Sequence, residues 1–116
     1  MADFKIYHNP RCSKSRQTLA LLEERGVSLE IVEYLQSPPS VKELTSVIKL
    51  LGISPRELMR KRETEYKESG LDNENLSNQE QIAKMVDNPK VIERPIVIGN
   101  GKAAIGRPPE SVLDIL

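Results

Sequence analysis

The chain has 116 residues, and its 17 Lys and Arg are balanced by 17 Asp and Glu. This length predicts a single domain over residues 1–116, and the zero net charge argues against nucleic-acid binding driven by bulk charge. No apolar run approaches the roughly 20 residues that span a bilayer, and the polar start Met1-Ala2-Asp3 is unlike a signal peptide. Because the chain also has one free cysteine, we expect a cytoplasmic protein without membrane or nucleic-acid partners.

Residues 4–34 predict a strand, a helix and a second strand. Phe4–Tyr7 and Ser28–Tyr34 alternate in the manner of half-buried strands. Between them, Ser15–Arg25 has helical spacing of its leucines, and Gly26 follows as a typical C-terminal stop. A strand, a helix and a strand with a short return form a βαβ unit, so the two strands should run parallel.

The middle of the chain predicts helices that begin at Ser-x-x-Glu capping boxes. These boxes begin at Ser40, Ser54 and Ser77. The first of these helices has one apolar face, made of Val41, Leu44, Val47, Ile48 and Leu51. The polar segment Glu63–Glu74 predicts irregular surface or one helical turn.

The last quarter of the chain predicts a β-hairpin and a short helix. The apolar runs Pro95–Ile98 and Ala103–Ile105 flank an Asn-Gly pair, which is the strongest short signal for a hairpin. Pro109–Leu116 predicts a helix whose inward residues are Val112, Leu113 and Leu116. The order βαβ, helical insert, ββα predicts an α/β protein of thioredoxin-like fold, with a mixed sheet of about four strands flanked by helices.

Cys12 follows the first predicted strand and precedes the first predicted helix, in the segment His8-Asn9-Pro10-Arg11-Cys12-Ser13-Lys14-Ser15-Arg16. A helix start and nearby cations favour the thiolate form, and the free N–H groups of a helix start bind oxyanions. Free cysteines are often inert and buried, but these polar surroundings favour a reactive thiol. Because the chain has one cysteine, a redox cycle needs an outside thiol such as glutathione.

Several short motifs follow one another along the chain. They are Ile6–Pro10 with Cys12, Ser15-Arg16, Tyr34-Leu35 with Pro38-Pro39, Gly52–Ser54, Arg60-Lys61, Arg94–Val97, Arg107-Pro108 and Val112–Leu116. Each motif alone is weak. Together, in this order, they make the chain resemble the glutaredoxin-linked arsenate reductases, the ArsC family of the thioredoxin-like superfamily, over nearly its whole length. They specify the family more strongly than the substrate.

The resemblance implies an enzyme that reduces arsenate to arsenite through a cysteine thiolate, with glutathione as co-substrate and glutaredoxin as partner. It implies Cys12 as the nucleophile and His8 as a residue that helps to keep it a thiolate. It also implies that Arg60, Arg94 and Arg107 bind the substrate oxyanion. Arginine suits this role because its planar fork binds two oxygens of an oxyanion at once. No bound cofactor and no metal are expected.

Four further residues are candidates for a supporting role in the site. They are Asn9, Ser15, Arg16 and Pro95. The cis form occurs in only about 5–6% of X–Pro bonds in folded proteins. The expectation that Pro95 is cis therefore comes from the fold resemblance. The resemblance also implies that this cis bond places the backbone at Pro95 next to Cys12.

The charged candidates also have alternative, structural roles. Arg60 is followed by two more basic residues, as at a solvated helix end. Arg94 could pair with the adjacent Glu93, and Arg107 could be an exposed loop residue. His8, at the end of a strand, could be a hydrogen-bonded structural residue.

Three residues around the cysteine depart from the family pattern, in which small residues are typical. Arg11, Ser13 and Lys14 stand there in this chain. The added positive charge should favour the thiolate and anion binding. The bulk of these side chains could also narrow the pocket or shift preference toward the carboxylates of glutathione.

Two related enzyme classes are excluded by spacing. A phosphatase-like reductase needs Cys-x5-Arg, but position 18 is Thr; a dithiol thioredoxin needs Cys-x-x-Cys, but position 15 is Ser. Two alternatives stay open: a glutathione-dependent thiol reductase of another substrate, and an RNA-polymerase-binding regulator of the same fold.

Overall fold

The computed structural model describes residues 3–116, which form two compact units. The first unit comprises the chain up to Ser37 together with Arg94–Leu116, and the second unit is Pro38–Glu93. The second unit is the helical insert that the sequence predicts. No helix within residues 3–116 is long and apolar enough to cross a membrane. The prediction of one domain over residues 1–116 stays a prediction.

A four-stranded mixed sheet forms the base of the first unit. The strands are β1 (Phe4–His8), β2 (Leu29–Glu33), β3 (Ile96–Gly99) and β4 (Lys102–Ile105), in the spatial order β2-β1-β3-β4. β1 and β2 run parallel, with Phe4 opposite Leu29 and His8 opposite Glu33. β3 runs antiparallel to both β1 and β4. The predicted mixed sheet and the parallel pairing of the βαβ unit are therefore confirmed.

The helices of the first unit pack their apolar faces on this sheet. They are α1 (Ser13–Glu24) and a closing 3₁₀ helix (Pro109–Ile115). One cluster of the buried core is made of Phe4, Ile6, Leu22, Val97, Val112 and Ile115. The prediction that Leu116 points inward is wrong, since it is 39% exposed. A 3₁₀ helix has three residues per turn, which places Ile115 rather than Leu116 on the face of Val112.

A two-residue turn joins β3 to β4, as the Asn-Gly pair predicts. Asn100 and Gly101 have φ angles of 54° and 71°, in the left-handed region that this turn requires. The Asn100 side chain donates a hydrogen bond from Nδ2 to the Ile115 carbonyl at 2.9 Å, which ties the hairpin to the closing helix. A Cβ on Gly99 would overlap the ring of Phe4, so this strand position requires glycine.

The second unit is helical, and its longer helices begin as predicted. It contains α2 (Val41–Leu51), α3 (Thr64–Glu68), α4 (Asn78–Asp87) and the 3₁₀ helices Pro55–Leu58 and Pro89–Val91. Ser40, Ser54 and Ser77 each form a complete capping box, so these predictions are confirmed. The inward position predicted for Val41 is wrong, since it is 43% exposed. It is the first residue of α2, and the buried face begins one turn later at Leu44.

Candidate active site

Cys12 is the N-cap residue of α1 and directly follows the loop after β1. Its N–H donates to the Asn9 carbonyl at 3.0 Å, and its own carbonyl accepts from the Arg16 N–H at 3.0 Å. The Asn9 side-chain Oδ1 accepts from the Arg11 N–H at 3.0 Å. Asn9 therefore holds the loop through its main chain and its side chain, and the loop fixes Cys12 at the helix start, where the sequence predicts it.

The start of α1 concentrates positive charge. Its first turn contains no acidic residue, and the Cys12 side chain makes no capping hydrogen bond. Lys14 and Arg16 are exposed there, and the Arg16 Nη1 donates to the Pro10 carbonyl at 2.9 Å. The N-terminal end of a helix is itself the positive end of its dipole. Because these cations lie at the positive end of the dipole, they destabilise the helix, but they stabilise an anion bound at Cys12.

Arg107 contacts the thiol although 95 residues separate the two in the sequence. Its Nη2 lies 3.5 Å from the Cys12 Sγ, and its Nε donates to the Arg94 carbonyl at 2.8 Å. The second hydrogen bond fixes the guanidinium beside the sulfur. A guanidinium in this position can pair with a thiolate and with an oxyanion bound to it. Arg107 is thus more than an exposed loop residue.

The loops that carry Arg94 and Arg107 meet beside the start of α1. The Arg94–Pro95 bond is cis, as predicted, and the Arg107–Pro108 bond is also cis, which the sequence analysis missed. The Nε and Nη1 atoms of Arg94 are buried. Residue 106, just before Arg107, is a glycine that fits only because it has no Cβ. A Cβ there would lie 2.8 Å from the Pro95 Cγ and 2.5 Å from the Oγ1 of the buried Thr18.

His8 is buried at the end of β1, with 6% of its surface exposed. Its Nδ1 lies 2.7 Å from the Ser15 Oγ, which also accepts from the Asn9 N–H at 3.0 Å. Burial lowers the pKa of His8 below its ordinary value; Glu33 opposes this shift, and Arg16 adds to it. The structure therefore gives His8 a hydrogen-bonded place behind the Cys12 loop. Its effect on the thiolate stays a prediction.

Arg60 belongs to the second unit and forms two ion pairs there. Its Nη1 is 3.0 Å from the Glu63 Oε1, and its Nε is 3.7 Å from the Glu93 Oε1. Its main-chain N–H donates to the Val91 carbonyl at 2.6 Å. The side chain is 26% exposed, and both of its ion pairs are to carboxylates of its own unit. Its binding of an oxyanion stays a prediction.

A small cavity beside the Cys12 loop was missed by the sequence analysis. It has a volume of about 150 Å³ and is lined by His8, Asn9, Pro10, Arg11, Glu33, Leu35 and Gln36. The parallel register places His8 opposite Glu33, which brings the end of β2 to the loop. The predicted βαβ unit was the one feature of the sequence that indicated that the ends of β1 and β2 lie side by side. In the part of the chain that the structure describes, no group of three His, Cys, Asp or Glu side chains could hold a metal ion.

The chain is similar to known proteins along nearly its whole length. A model of the ArsC family matches residues 7–115. An uncharacterized protein of Escherichia coli K12, YfgD, is 58% identical over 113 residues, which cover 97% of this chain and 95% of that protein. The arsenate reductase of Neisseria meningitidis Z2491 is 51% identical over 117 aligned positions, which cover 100% of both proteins.

A solved structure supports the same assignment of fold. The arsenate reductase from Vibrio cholerae matches with a TM-score of 0.94 and 50% identity, covering 99% of this chain and 98% of that chain. The predicted thioredoxin-like architecture, with its mixed sheet and helical insert, is therefore confirmed.

Proposed function

The chain belongs to the ArsC family, and from this premise we propose that it reduces arsenate to arsenite with Cys12 as the nucleophile. The contact between the Arg107 Nη2 and the Cys12 Sγ, at 3.5 Å, carries the proposal. It pairs a nucleophilic atom with an anion-binding group at the positive end of α1. The full-length similarity to arsenate reductases of Neisseria meningitidis and Vibrio cholerae supports arsenate as the substrate.

In the first proposed step, the Cys12 thiolate attacks the arsenic atom of arsenate. A sulfur–arsenic bond forms, and one arsenate oxygen takes up two protons and leaves as water. The arsenic stays in the As(V) state, and the adduct keeps its negative charge. Arg60, Arg94 and Arg107 bind the remaining oxygens, because charge-assisted hydrogen bonds from guanidinium groups stabilise the charge that builds up in the transition state.

In the second proposed step, a glutathione thiolate attacks the Cys12 sulfur. The sulfur–arsenic bond breaks, its electron pair stays with arsenic, and arsenite leaves as As(III). Two thiols are thereby oxidised to one protein–glutathione disulfide. Glutaredoxin then takes the glutathione by thiol–disulfide exchange and frees Cys12, and a second glutathione closes the cycle as glutathione disulfide. One protein cysteine suffices, and the chain has one.

The supporting residues position the nucleophile in this proposal. Asn9 and Arg16 hold the loop through hydrogen bonds to its main chain, and Ser15 connects that loop to His8. Glutathione is a co-substrate that leaves after the reaction, and no bound cofactor is proposed. The proposal includes a cytoplasmic location, because the reducing cytosol keeps glutathione and Cys12 reduced.

The proposal is tested by arsenate-dependent NADPH consumption with glutathione, glutaredoxin and glutathione reductase supplied. We expect turnover by the wild type and none by Cys12→Ser, with circular dichroism showing that the variant is folded. A folded wild type with an alkylatable thiol but no turnover would contradict arsenate reduction. It would then favour a glutathione-dependent reductase of another substrate, or a regulator, which a pull-down of RNA polymerase would reveal.

A further inference from the structure

The cavity at the ends of β1 and β2 is not used by the chemistry above. We propose that it binds the γ-glutamyl end of glutathione, and this inference rests on the proposed use of glutathione as co-substrate. Arg11 pairs with the α-carboxylate of that end, and Glu33 accepts hydrogen bonds from its α-ammonium group. The other lining residues include two neutral amides, Asn9 and Gln36.

The position of the cavity in the sheet suits a ligand. His8 is the last residue of β1 and Glu33 the last residue of β2, and the two lie opposite each other in parallel register. The carboxyl ends of these two parallel strands therefore meet at the cavity. The Glu33 carbonyl accepts from the N–H groups of Gln36 and Ser37 at 3.0 and 2.9 Å, so a hydrogen-bonded turn fixes this side of the cavity.

The charges of the cavity select among ligands. Within residues 3–116, neither the Arg11 nor the Glu33 side chain takes part in an ion pair, and both residues are exposed. A ligand with only negative charge would be repelled by Glu33, and one with only positive charge by Arg11. An α-amino-acid group carries both charges, on two substituents of the same carbon atom. Glutathione has such a group at its γ-glutamyl end, whereas its glycyl end carries a carboxylate alone.

The size and place of the cavity also fit one end of the tripeptide. A volume of about 150 Å³ is below the roughly 300–1,000 Å³ of pockets that enclose drug-sized ligands. The cavity therefore holds an end group and leaves the cysteinyl sulfur outside. Arg11 and Cys12 are neighbours whose Cα atoms are about 3.8 Å apart. A glutathione anchored at Arg11 therefore has Cys12 within reach of its thiol, and this anchoring would raise the effective concentration of the attacking thiol.

Binding without turnover gives the first test. S-methylglutathione, which cannot react, is titrated into the wild-type protein and followed by amide NMR shifts. We expect saturable shifts at Asn9, Arg11 and residues 33–36, retained with γ-glutamyl-S-methylcysteine and largely lost with S-methylcysteinylglycine. Shifts confined to other residues would overturn the inference. So would equal affinities for S-methylglutathione and S-methylcysteinylglycine. Since no arsenate is present, a protein that binds in this way but does not reduce arsenate would contradict only the proposed function.

Matched variants give the second test. Arg11→Gln and Glu33→Gln should each raise the Kd of S-methylglutathione by roughly tenfold, because each removes a charge-assisted contact. Arg25→Gln, an exposed arginine at the other end of α1, and Glu30→Gln, an exposed residue of the same strand, should leave the Kd unchanged. An equal loss in the cavity variant and its control would assign the binding to bulk charge and overturn the inference.

Discussion

The longest helices of the two units differ in how they begin. In the second unit, α2, the 3₁₀ helix at Pro55–Leu58 and α4 each begin with a complete capping box and have a glutamate in the first turn. In the first unit, α1 begins at Cys12, which makes no side-chain cap, and its first turn has no acidic residue. These three helices of the second unit thus follow the local rules of helix stability, whereas α1 departs from them at the proposed nucleophile. Such departures are expected where a sequence serves chemistry.

Apart from loss of the nucleophile itself, the largest effect should come from removing the cation that contacts Cys12. Arg107→Ala should lower kcat/KM for arsenate by about 100-fold, since a preorganised donor to the oxyanion is lost. Arg107→Lys should recover part of this loss, because it keeps the charge but not the planar fork. The measurement is steady-state arsenate turnover, with Arg25→Ala as a control at the far end of α1. Unchanged kcat/KM in Arg107→Ala would remove this arginine from the site.

A second prediction concerns the local stability of the second unit. Ser77→Ala should lower the free energy of unfolding by about 1 kcal/mol, because it removes the cap of α4. Ser77→Asp should restore most of it, since aspartate is also a good N-cap residue. Urea unfolding of the three proteins measures both changes. Equal stability of the wild type and Ser77→Ala would show that this capping box contributes nothing.

The comparison of the units also explains what the sequence could predict. Capping boxes and the Asn100-Gly101 turn were predicted correctly because both are set by residues adjacent in the chain. The start of α1 was placed at Ser15 rather than Ser13, because Cys12 gives no capping signal there. The site itself depends on contacts across the fold, such as that of Arg107 with Cys12. Only the family resemblance indicated that these residues belong together.

Contacts between distant segments account for the features that were missed. Nothing near position 106 indicates that its glycine must fit against Thr18 and Pro95. In the same way, the cavity needs Glu33 beside the Cys12 loop, and only the parallel register of β1 and β2 provides that. Periodicity reveals which residues face a core, but it does not reveal which loops meet at its edge.

A third prediction gives α1 the serine N-cap that the capped helices of the second unit have. Cys12→Ser should raise the free energy of unfolding by about 0.5–1 kcal/mol while it abolishes turnover, because serine is a good N-cap residue and cysteine is not. Cys12→Ala serves as the control, since it removes the thiol without adding a cap. Urea unfolding should therefore rank the serine variant above the alanine variant. Equal stability of the two variants would show that a capping hydrogen bond does not form at this position.

The smallest effect should be a dependence of stability on pH that originates at His8. Burial lowers its pKa, so the unfolded chain binds a proton at a higher pH than the folded protein. Between the lowered pKa and the ordinary value near 6.5, the unfolded state holds more protons, and stability therefore falls as the pH falls through this window. The effect should be modest because Glu33 opposes the shift.

This dependence can be assigned to one residue because His8 is the only histidine in the chain. His8→Asn keeps a polar atom near the Ser15 Oγ but does not titrate, so its unfolding free energy should vary less between pH 7 and pH 5 than that of the wild type. Urea unfolding at several pH values measures the difference. Parallel pH profiles would show that the imidazole is equally easy to protonate in both states. The buried place of His8 would then be a matter of packing and hydrogen bonding alone.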